Sequence, residues 1–235
     1  MLPVAKGVCG MTKSEQISLL MDEWENKHIK KNYTRFIRDG IVCEERWDKQ
    51  NSPRVCFFLK EAYTSEEGYD LTTALYNTTP WTMWKKVAIW TQAIHNAFDD
   101  TGYEYDEKVL RSKEKEVIDS ISIVNVKKSN GEHESKYDDL KKYAEEDKEE
   151  IRRQLEIINP EIIVCGNNSS LLKVVLGDEL NDKDTWDNMI AMWNDTLVID
   201  YYHPAVHYPN RVNYYAIYSI CRAAIEKYNL SYKRE

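Results

Sequence analysis

The sequence predicts a single α/β domain in which a four-stranded parallel sheet is flanked by helices on both faces. Four short apolar runs alternate with segments of helical periodicity, a pattern typical of parallel sheets. No internal repeat, low-complexity tract or Pro/Gly-rich linker divides the 235 residues, a length that suits one large domain. We therefore expect one α/β domain over residues 51–235, preceded by a helical N-terminal extension over residues 1–50.

The predicted strands are continuous apolar runs, as expected of strands buried on both faces. In chain order they lie within RVCFFLKEAY, VIDSISIVNVKK, EIIVCGNN and TLVIDYYHP. A helix, WTMWKKVAIWTQAIHNAF, follows the first strand, and NRVNYYAIYSICRAAIEKYNL forms the closing helix. Between the second and third strands, the charged segment from about residue 135 to 158 is predicted as one long helix that ends before Pro160.

Composition limits the classes of function. The five cysteines form no C-x-x-C pair, which favours reduced thiols and argues against zinc or iron–sulfur sites, so we expect no metal and no cofactor. The N-terminal residues are too weakly apolar for a signal peptide, and no run is long enough to span a membrane. We expect a cytoplasmic monomer. The net charge of −8 counts against a nucleic-acid partner, although the acidic residues are unevenly distributed and 16 Tyr and 7 Trp can supply stacking surfaces.

Chemically capable residues follow the predicted strands. In open α/β sheets, ligands bind in the crevice outside the carboxyl ends of the strands. The residues at these ends are Lys60 to Tyr63, Asn125 to Lys128, Gly166 to Asn168, and His203 with Pro204. These four segments are therefore the first place to look for a site.

Three of these residues each have two interpretations. Glu61 is either a surface carboxylate or a cleft carboxylate that orients water or stabilises a developing cation. Asn125 either bonds a neighbouring loop or reads the edge of a base through its paired donor and acceptor. His203 is either packed at the start of a loop or donates a hydrogen bond to an oxygen of a leaving group.

His203 and His207 are spaced four residues apart, as in a helical metal pair. Pro204 argues against that interpretation because a proline at the first helical position leaves His203 outside the helix. No cysteine or third histidine lies close in sequence. A metal site is therefore the least favoured use of this pair.

Taken together, these strand ends resemble the motifs of the uracil-DNA glycosylase superfamily. FFLKEAYT resembles its G-E-A-P-G motif at Glu61 and Ala62, and SIVNVKKSNG resembles T-N-x-x-K at Asn125 and Lys128. IINPEIIVCGN resembles its following strand, and YYHPAVHYPN resembles its H-P-S motif. The four matches occur in order over roughly residues 54–228, and the four cysteines of the iron–sulfur branches are absent.

The resemblance implies a monofunctional DNA glycosylase, a hydrolase that flips a base out of DNA and leaves an abasic site. His203 would donate to the departing base, Glu61 would face the sugar, and Asn125 would read the base edge.

Candidate residues for stacking on the flipped base are Tyr63, Tyr69 and Trp81, each of which could equally belong to the core. Val206, His207 and Tyr208 would fill the gap in the duplex. Lys127, Lys128 and Arg211 could neutralise phosphates, or be ordinary solvated charges.

The sequence departs from the family motifs at three positions. Lys60 and Tyr63 replace the Gly and Pro of the first motif, and Ala205 replaces the usual Ser. The substrate could thus be uracil, as in DNA repair, or a bulkier modified pyrimidine such as those of bacteriophage DNA, as in antiviral defence. Two other functions stay open, namely a nucleic-acid-binding protein that has lost catalysis and an N-glycosidase of free nucleosides or nucleotides.

Overall fold

The structure is an α/β fold with a mixed sheet between two layers of helices. A computed structural model describes residues 10–33, 35–100, 104–131, 135–181 and 189–232. The strands are β1 (Val55–Glu61), β2 (Ser122–Lys127), β3 (Ile162–Gly166), β4 (Leu180–Asn181), β5 (Ile190–Trp193) and β6 (Thr196–Tyr201). The helices are α1 (Lys13–Lys30), α2 (Glu44–Lys49), α3 (Leu71–Asn77), α4 (Thr82–Asp99), α5 (Glu107–Ser112), α6 (Glu114–Asp119), α7 (Tyr137–Glu146), α8 (Lys148–Ile158), α9 (Ser169–Leu176) and α10 (Asn210–Tyr228).

The sheet contains the four predicted parallel strands and two more. Its order is β2-β1-β3-β6-β5-β4, with β2, β1, β3 and β6 parallel and with β5 and β4 added antiparallel. The α/β prediction is confirmed, whereas the description as four parallel strands is wrong because β5 folds back on β6. A two-residue turn allows this return, since Trp193 pairs with Thr196 and Asn194 takes the left-handed conformation at φ 50°.

Each face of the sheet has its own apolar core. Val55, Phe57 and Leu59 of β1 pack on the side of α4 and α10. Cys56 and Phe58 pack on the opposite side, with α1, α8 and α9. This alternation explains why β1 is a continuous apolar run, because both of its faces are buried.

Residues 10–33 and 35–50 pack into the same body as the sheet. Trp24 and Trp47 are fully buried in the core beside Phe58. The segment after α1 runs along β2, where Phe36 bridges Ser129 and the Ile123 N–H donates to the Gly40 carbonyl at 2.8 Å. The N-terminal segment therefore covers the β2 edge of the sheet, which would otherwise expose unpaired backbone groups.

The predicted helix over residues 135–158 is divided in two. Asp147 lies between α7 and α8, and its buried carboxylate contacts Lys27 Nζ at 3.0 Å and His28 Nε2 at 2.7 Å. The second helix ends as predicted before Pro160, with Asn159 in the left-handed conformation. The break thus coincides with a charged anchor between this layer and α1.

Candidate functional site at the carboxyl ends of the strands

The parallel strands bring the predicted site residues to one edge of the sheet. Glu61 ends β1 and Lys127 ends β2, and the two residues are paired across the strands. His203 follows β6, two strands away from β1. Neighbouring strands lie about 4.8 Å apart, so roughly 10 Å separates the axes of β1 and β6. Glu61 and His203 thus lie at the same edge of the sheet, on opposite sides of the end of β3.

His203 is a half-buried imidazole with a defined proton position. Its Nδ1 accepts the backbone N–H of Ala205 at 3.2 Å, so the neutral ring carries its proton on Nε2. Burial, together with the charge of Lys60, lowers the pKa of His203 to about 4. Within the described residues, no hydrogen-bond partner occupies Nε2. At neutral pH the side chain is thus an uncharged donor at the edge of the sheet.

Gly166 allows the close packing around His203. A Cβ at Gly166 would lie 2.9 Å from Leu59 Cδ2 and 3.2 Å from His203 Cδ2. Any side chain there would push the imidazole or Leu59 away. The end of β3 therefore helps to set the position of the histidine at the end of β6.

Glu61 is held by two partners. Its Oε2 lies 3.1 Å from Lys127 Nζ, and its Oε1 accepts the Ser135 hydroxyl at 2.6 Å. Only 6% of the Glu61 side chain is exposed, and a Cβ at Gly131 would come within 2.7 Å of its Cγ. A carboxylate with both oxygens engaged is poorly placed to take a proton from water, but its fixed negative charge can stabilise a nearby cation.

Lys127 belongs to this ion pair, and the prediction that it contacts phosphate is not supported. Its Nζ lies 3.1 Å from Glu61 and 2.7 Å from Asp139, and it also lies over the ring of Tyr143. Burial lowers the pKa of Lys127, but the hydrogen bonds and charges of Asp139 and Glu61 outweigh it, and the pKa is raised overall. The ammonium group is therefore charged and already neutralised by protein carboxylates.

Asn125 and Lys128 face a buried cluster rather than a ligand. The Asn125 Nδ2 and backbone N–H donate to Asp39 Oδ2 at 3.0 and 2.9 Å. The Lys128 Nζ lies 2.6 Å from Asp39 Oδ1, with both side chains 0% exposed, and Gln154 Nε2 also donates to this carboxylate. Burial lowers the pKa of Lys128 despite the adjacent Asp39. Asp39 thus engages the Asn125 amide nitrogen and the Lys128 ammonium, and the predicted roles of these residues in base reading and phosphate contact stay predictions.

The loop after His203 has both buried and exposed parts. Val206 is partly buried against the core, and its carbonyl accepts the Lys86 ammonium, so it is not presented for insertion into a duplex. His207 is exposed, and Tyr208 is 48% exposed with its ring against Tyr202. Arg211, on the first turn of α10, is also exposed and lies over the ring of another tyrosine, Tyr105. His207, Tyr208 and Arg211 thus remain accessible to a partner.

The three predicted stacking residues differ in their exposure. Tyr63 is 73% exposed directly after β1, and Trp81 is 40% exposed at the start of α4. Tyr69 is half-buried and packs against the core, and burial raises the pKa of its hydroxyl. Tyr63 and Trp81 remain available for stacking, whereas Tyr69 is largely a core residue.

Sequence reasoning assigned no role to two residues of this edge. Tyr202, the residue before His203, is 46% exposed. Asn168, after β3, is only 3% exposed, and neither its Oδ1 nor its Nδ2 finds a partner in the described residues. Both lie at or just after predicted strand ends, so the strand-end rule contained the signal. Neither residue falls on a position of the glycosylase motifs, so the resemblance to those motifs gave no role to either.

Metal-ligand clusters and membrane-spanning helices are both absent from the described residues. There, no group of three or more His, Cys, Asp and Glu side chains is arranged to hold a metal ion. Every helix in the same residues is too short or too polar to cross a bilayer. Cys43, Cys56, Cys165 and Cys221 are free thiols, and Cys9 lies outside the described residues.

Comparison with known proteins adds no assignment. No protein-family model matches this sequence, and no curated protein matches it significantly. The resemblance to uracil-DNA glycosylases therefore depends on the four motifs and on the site described above.

Proposed function

We propose that this protein is a DNA glycosylase that hydrolyses the N-glycosidic bond of an aberrant or modified pyrimidine. The observation that carries the proposal is the neutral His203, whose Nδ1 is tied to the Ala205 N–H and whose Nε2–H has no partner in the described residues. Such a group is suited to donate to an oxygen that gains negative charge. The proposed substrates are uracil or a bulkier modified cytosine in DNA, in repair or in defence against bacteriophages.

The proposed reaction separates charge between the sugar and the base. As the C1′–N1 bond breaks, the base leaves with the electron pair and the sugar becomes a cation. The Nε2–H of His203 donates to the base carbonyl oxygen as its charge grows. Water adds its oxygen to C1′, and its released proton leaves to solvent, while the departed base takes up a proton. The Glu61 carboxylate, fixed by Lys127 and Ser135, provides negative charge at the opposite side of the crevice.

A panel of labelled DNAs tests this proposal. Single- and double-stranded oligonucleotides carrying uracil, hydroxymethylcytosine or glucosylated hydroxymethylcytosine are incubated with the protein, and abasic sites are revealed by alkaline cleavage. We expect cleavage at one modified base and a loss of about 100-fold in His203→Ala, in line with loss of one oxyanion donor. Lys49→Ala is the control, since this exposed lysine lies on α2, which precedes the amino end of β1, and the variant should retain activity. Absence of abasic sites with every DNA would refute the glycosylase proposal.

A second candidate is a nucleic-acid-binding protein of the same fold without catalysis. It is favoured by the engagement of both Glu61 oxygens and of the Asn125 amide in contacts within the protein. DNA binding that persists, with no base released from any DNA or from free nucleosides, would support this candidate. Base released from free nucleosides but not from DNA would instead support an N-glycosidase of small substrates.

A further inference from the structure

Exposed aromatic side chains gather at the carboxyl edge of the sheet. We call them the aromatic rim, and they are Tyr63, Trp81, Tyr137, Tyr202 and Tyr208, with exposed fractions of 73, 40, 52, 46 and 48%. Large aromatic surfaces are normally buried, so a group of exposed rings at one edge indicates a binding surface.

The parallel strand order places three members of the aromatic rim at this edge. Tyr63 follows β1, Tyr137 begins the first helix after β2, and Tyr202 follows β6. Trp81 immediately precedes α4, and the Lys86 ammonium on the first turns of that helix reaches the Val206 carbonyl in the loop after His203. The rim thus lies at the same edge of the sheet as His203.

The rings are held in place from the core outward. Trp90, fully buried in α4, contacts Tyr201 edge to face at 5.1 Å between ring centroids. Tyr201 contacts Tyr202, and Tyr202 contacts Tyr208, each edge to face at 5.3 Å. Trp81 packs edge to face on Trp84. Rings fixed in this way lose little freedom when a base stacks on them, which favours binding.

The charges of the protein disfavour a mode of binding dominated by phosphate contacts. The net charge is −8, and the ammonium groups of Lys127 and Lys128 are neutralised by Glu61, Asp139 and Asp39. Lys60 lies close enough to lower the pKa of His203, and Arg211 is exposed nearby in sequence. Few cations therefore remain at this edge for phosphates, while several aromatic faces are available for bases.

We propose that the aromatic rim binds single-stranded DNA, chiefly by stacking of unpaired bases on Tyr202, Tyr208 and Tyr63. A duplex keeps its bases stacked on each other and offers mainly phosphates, whereas a single strand offers base faces. The inference rests on the proposed function for the identity of the ligand as DNA. It deepens that function by naming the form of DNA that the site accepts.

Binding of labelled oligothymidylate, alone and in duplex with oligoadenylate, tests this inference by fluorescence anisotropy. We expect the single strand to bind at least about tenfold more tightly than the duplex. Loss of one stacking ring in Tyr202→Ala should weaken single-strand binding about tenfold, and Tyr202→Phe should retain it. Because few phosphates are neutralised, log Kd should change with log salt by a slope of only about 1 to 2.

Tyr76→Ala is the matched control. Tyr76 is 51% exposed but lies on α3, against Lys115 of the helix that leads into the amino end of β2, away from the rim. Its removal should leave Kd unchanged. Equal or tighter duplex binding, equal effects of Tyr202→Ala and Tyr76→Ala, or a steep salt slope would each overturn the inference.

The binding assay requires no base excision, so the two proposals fail in different ways. Tight single-strand binding that depends on Tyr202, with no base released from any DNA, would support single-strand binding by the aromatic rim and refute the proposed glycosylase activity. Excision from duplex DNA that is unaffected by Tyr202→Ala would sustain the glycosylase and refute the rim.

Discussion

The backbone N–H of Ala205 donates to Nδ1 of His203 at 3.2 Å and so fixes the proton of the neutral imidazole on Nε2. The donor is a main-chain group, and the side chain of residue 205 is not needed for it. An Ala at position 205, where the glycosylase motif that this segment resembles has Ser, therefore leaves the orientation of His203 intact. What the replacement removes is a hydroxyl that could contact a phosphate, in keeping with a site that relies on stacking.

Excision should depend on pH through His203. Below its pKa of about 4 the ring gains a proton on Nδ1, which can no longer accept the Ala205 N–H, and the imidazole loses its orientation. We expect the rate of excision to be flat near neutral pH and to fall about tenfold per pH unit below about pH 4. Single-turnover rates across this range measure the effect. An inflection near pH 6.5 would contradict the lowered pKa.

The free energy of unfolding should also depend on pH through His203, and the direction of that dependence follows from its lowered pKa. The pKa of His203 is about 4 in the folded protein, below the ordinary value of 6.5, and burial lowers that of His95 to about 4 as well. Between these pH values the unfolded chain binds protons that the folded chain does not. The contribution of these two neutral histidines to the free energy of unfolding is therefore complete above about pH 6.5, and it declines as the pH falls towards 4. Urea unfolding of wild type and His203→Gln should show a smaller decline in the variant.

Lys127→Met should destabilise the fold by about 3 kcal/mol, because it leaves the nearly buried Glu61 without its counter-ion. Lys141→Met is the control, since Lys141 and its partner Glu145 on α7 are both about half exposed. That substitution should change the free energy of unfolding by less than about 0.5 kcal/mol. Adding Glu61→Gln to Lys127→Met should recover much of the loss. Equal losses in the two single variants would contradict a buried pair.

Lys128→Met separates a structural lysine from one that binds DNA. Removing the buried ammonium leaves Asp39 with no cation at its Oδ1, and we expect a loss of about 3 to 5 kcal/mol in urea unfolding. The salt dependence of DNA binding should be unchanged in this variant. Arg211→Ala should instead leave stability unchanged and reduce the salt slope by about 0.7. A reduced slope in Lys128→Met would restore the original interpretation of that residue.

The parallel sheet was predictable because strands buried on both faces are continuous apolar runs. The four runs around Phe57, Ile123, Val164 and Val198 all became parallel strands. The short run of β5 was not recognised, since four apolar residues next to a turn do not distinguish a strand from a loop. The break at Asp147 was also missed, because its cause is a contact with His28, far away in the chain.

The candidate site was predictable in position but not in every role. The strand-end rule placed Glu61 and His203 at the same edge, which depends only on strand direction. The sequence did not show that Asp39, from the segment that covers β2, contacts both Asn125 and Lys128. The sequence around the second strand does not indicate a partner that lies about ninety residues earlier in the chain. Asn168 lies at a predicted strand end but received no predicted role, because its unusual property, a buried amide without partners in the described residues, is visible only in the structure.

Asn168→Leu should stabilise the protein. The Asn168 carboxamide is buried with no partner for either polar atom in the described residues, and it makes no side-chain capping bond to α9. A leucine of similar size removes the cost of that desolvated amide, so we expect the free energy of unfolding to rise by about 1 kcal/mol. Asn213→Leu is the control, because Asn213 is equally buried but accepts the Tyr201 hydroxyl at 3.0 Å. That variant should lose about 1 to 3 kcal/mol. A similar loss in Asn168→Leu would show that the Asn168 amide is satisfied by an enclosed water in the folded protein.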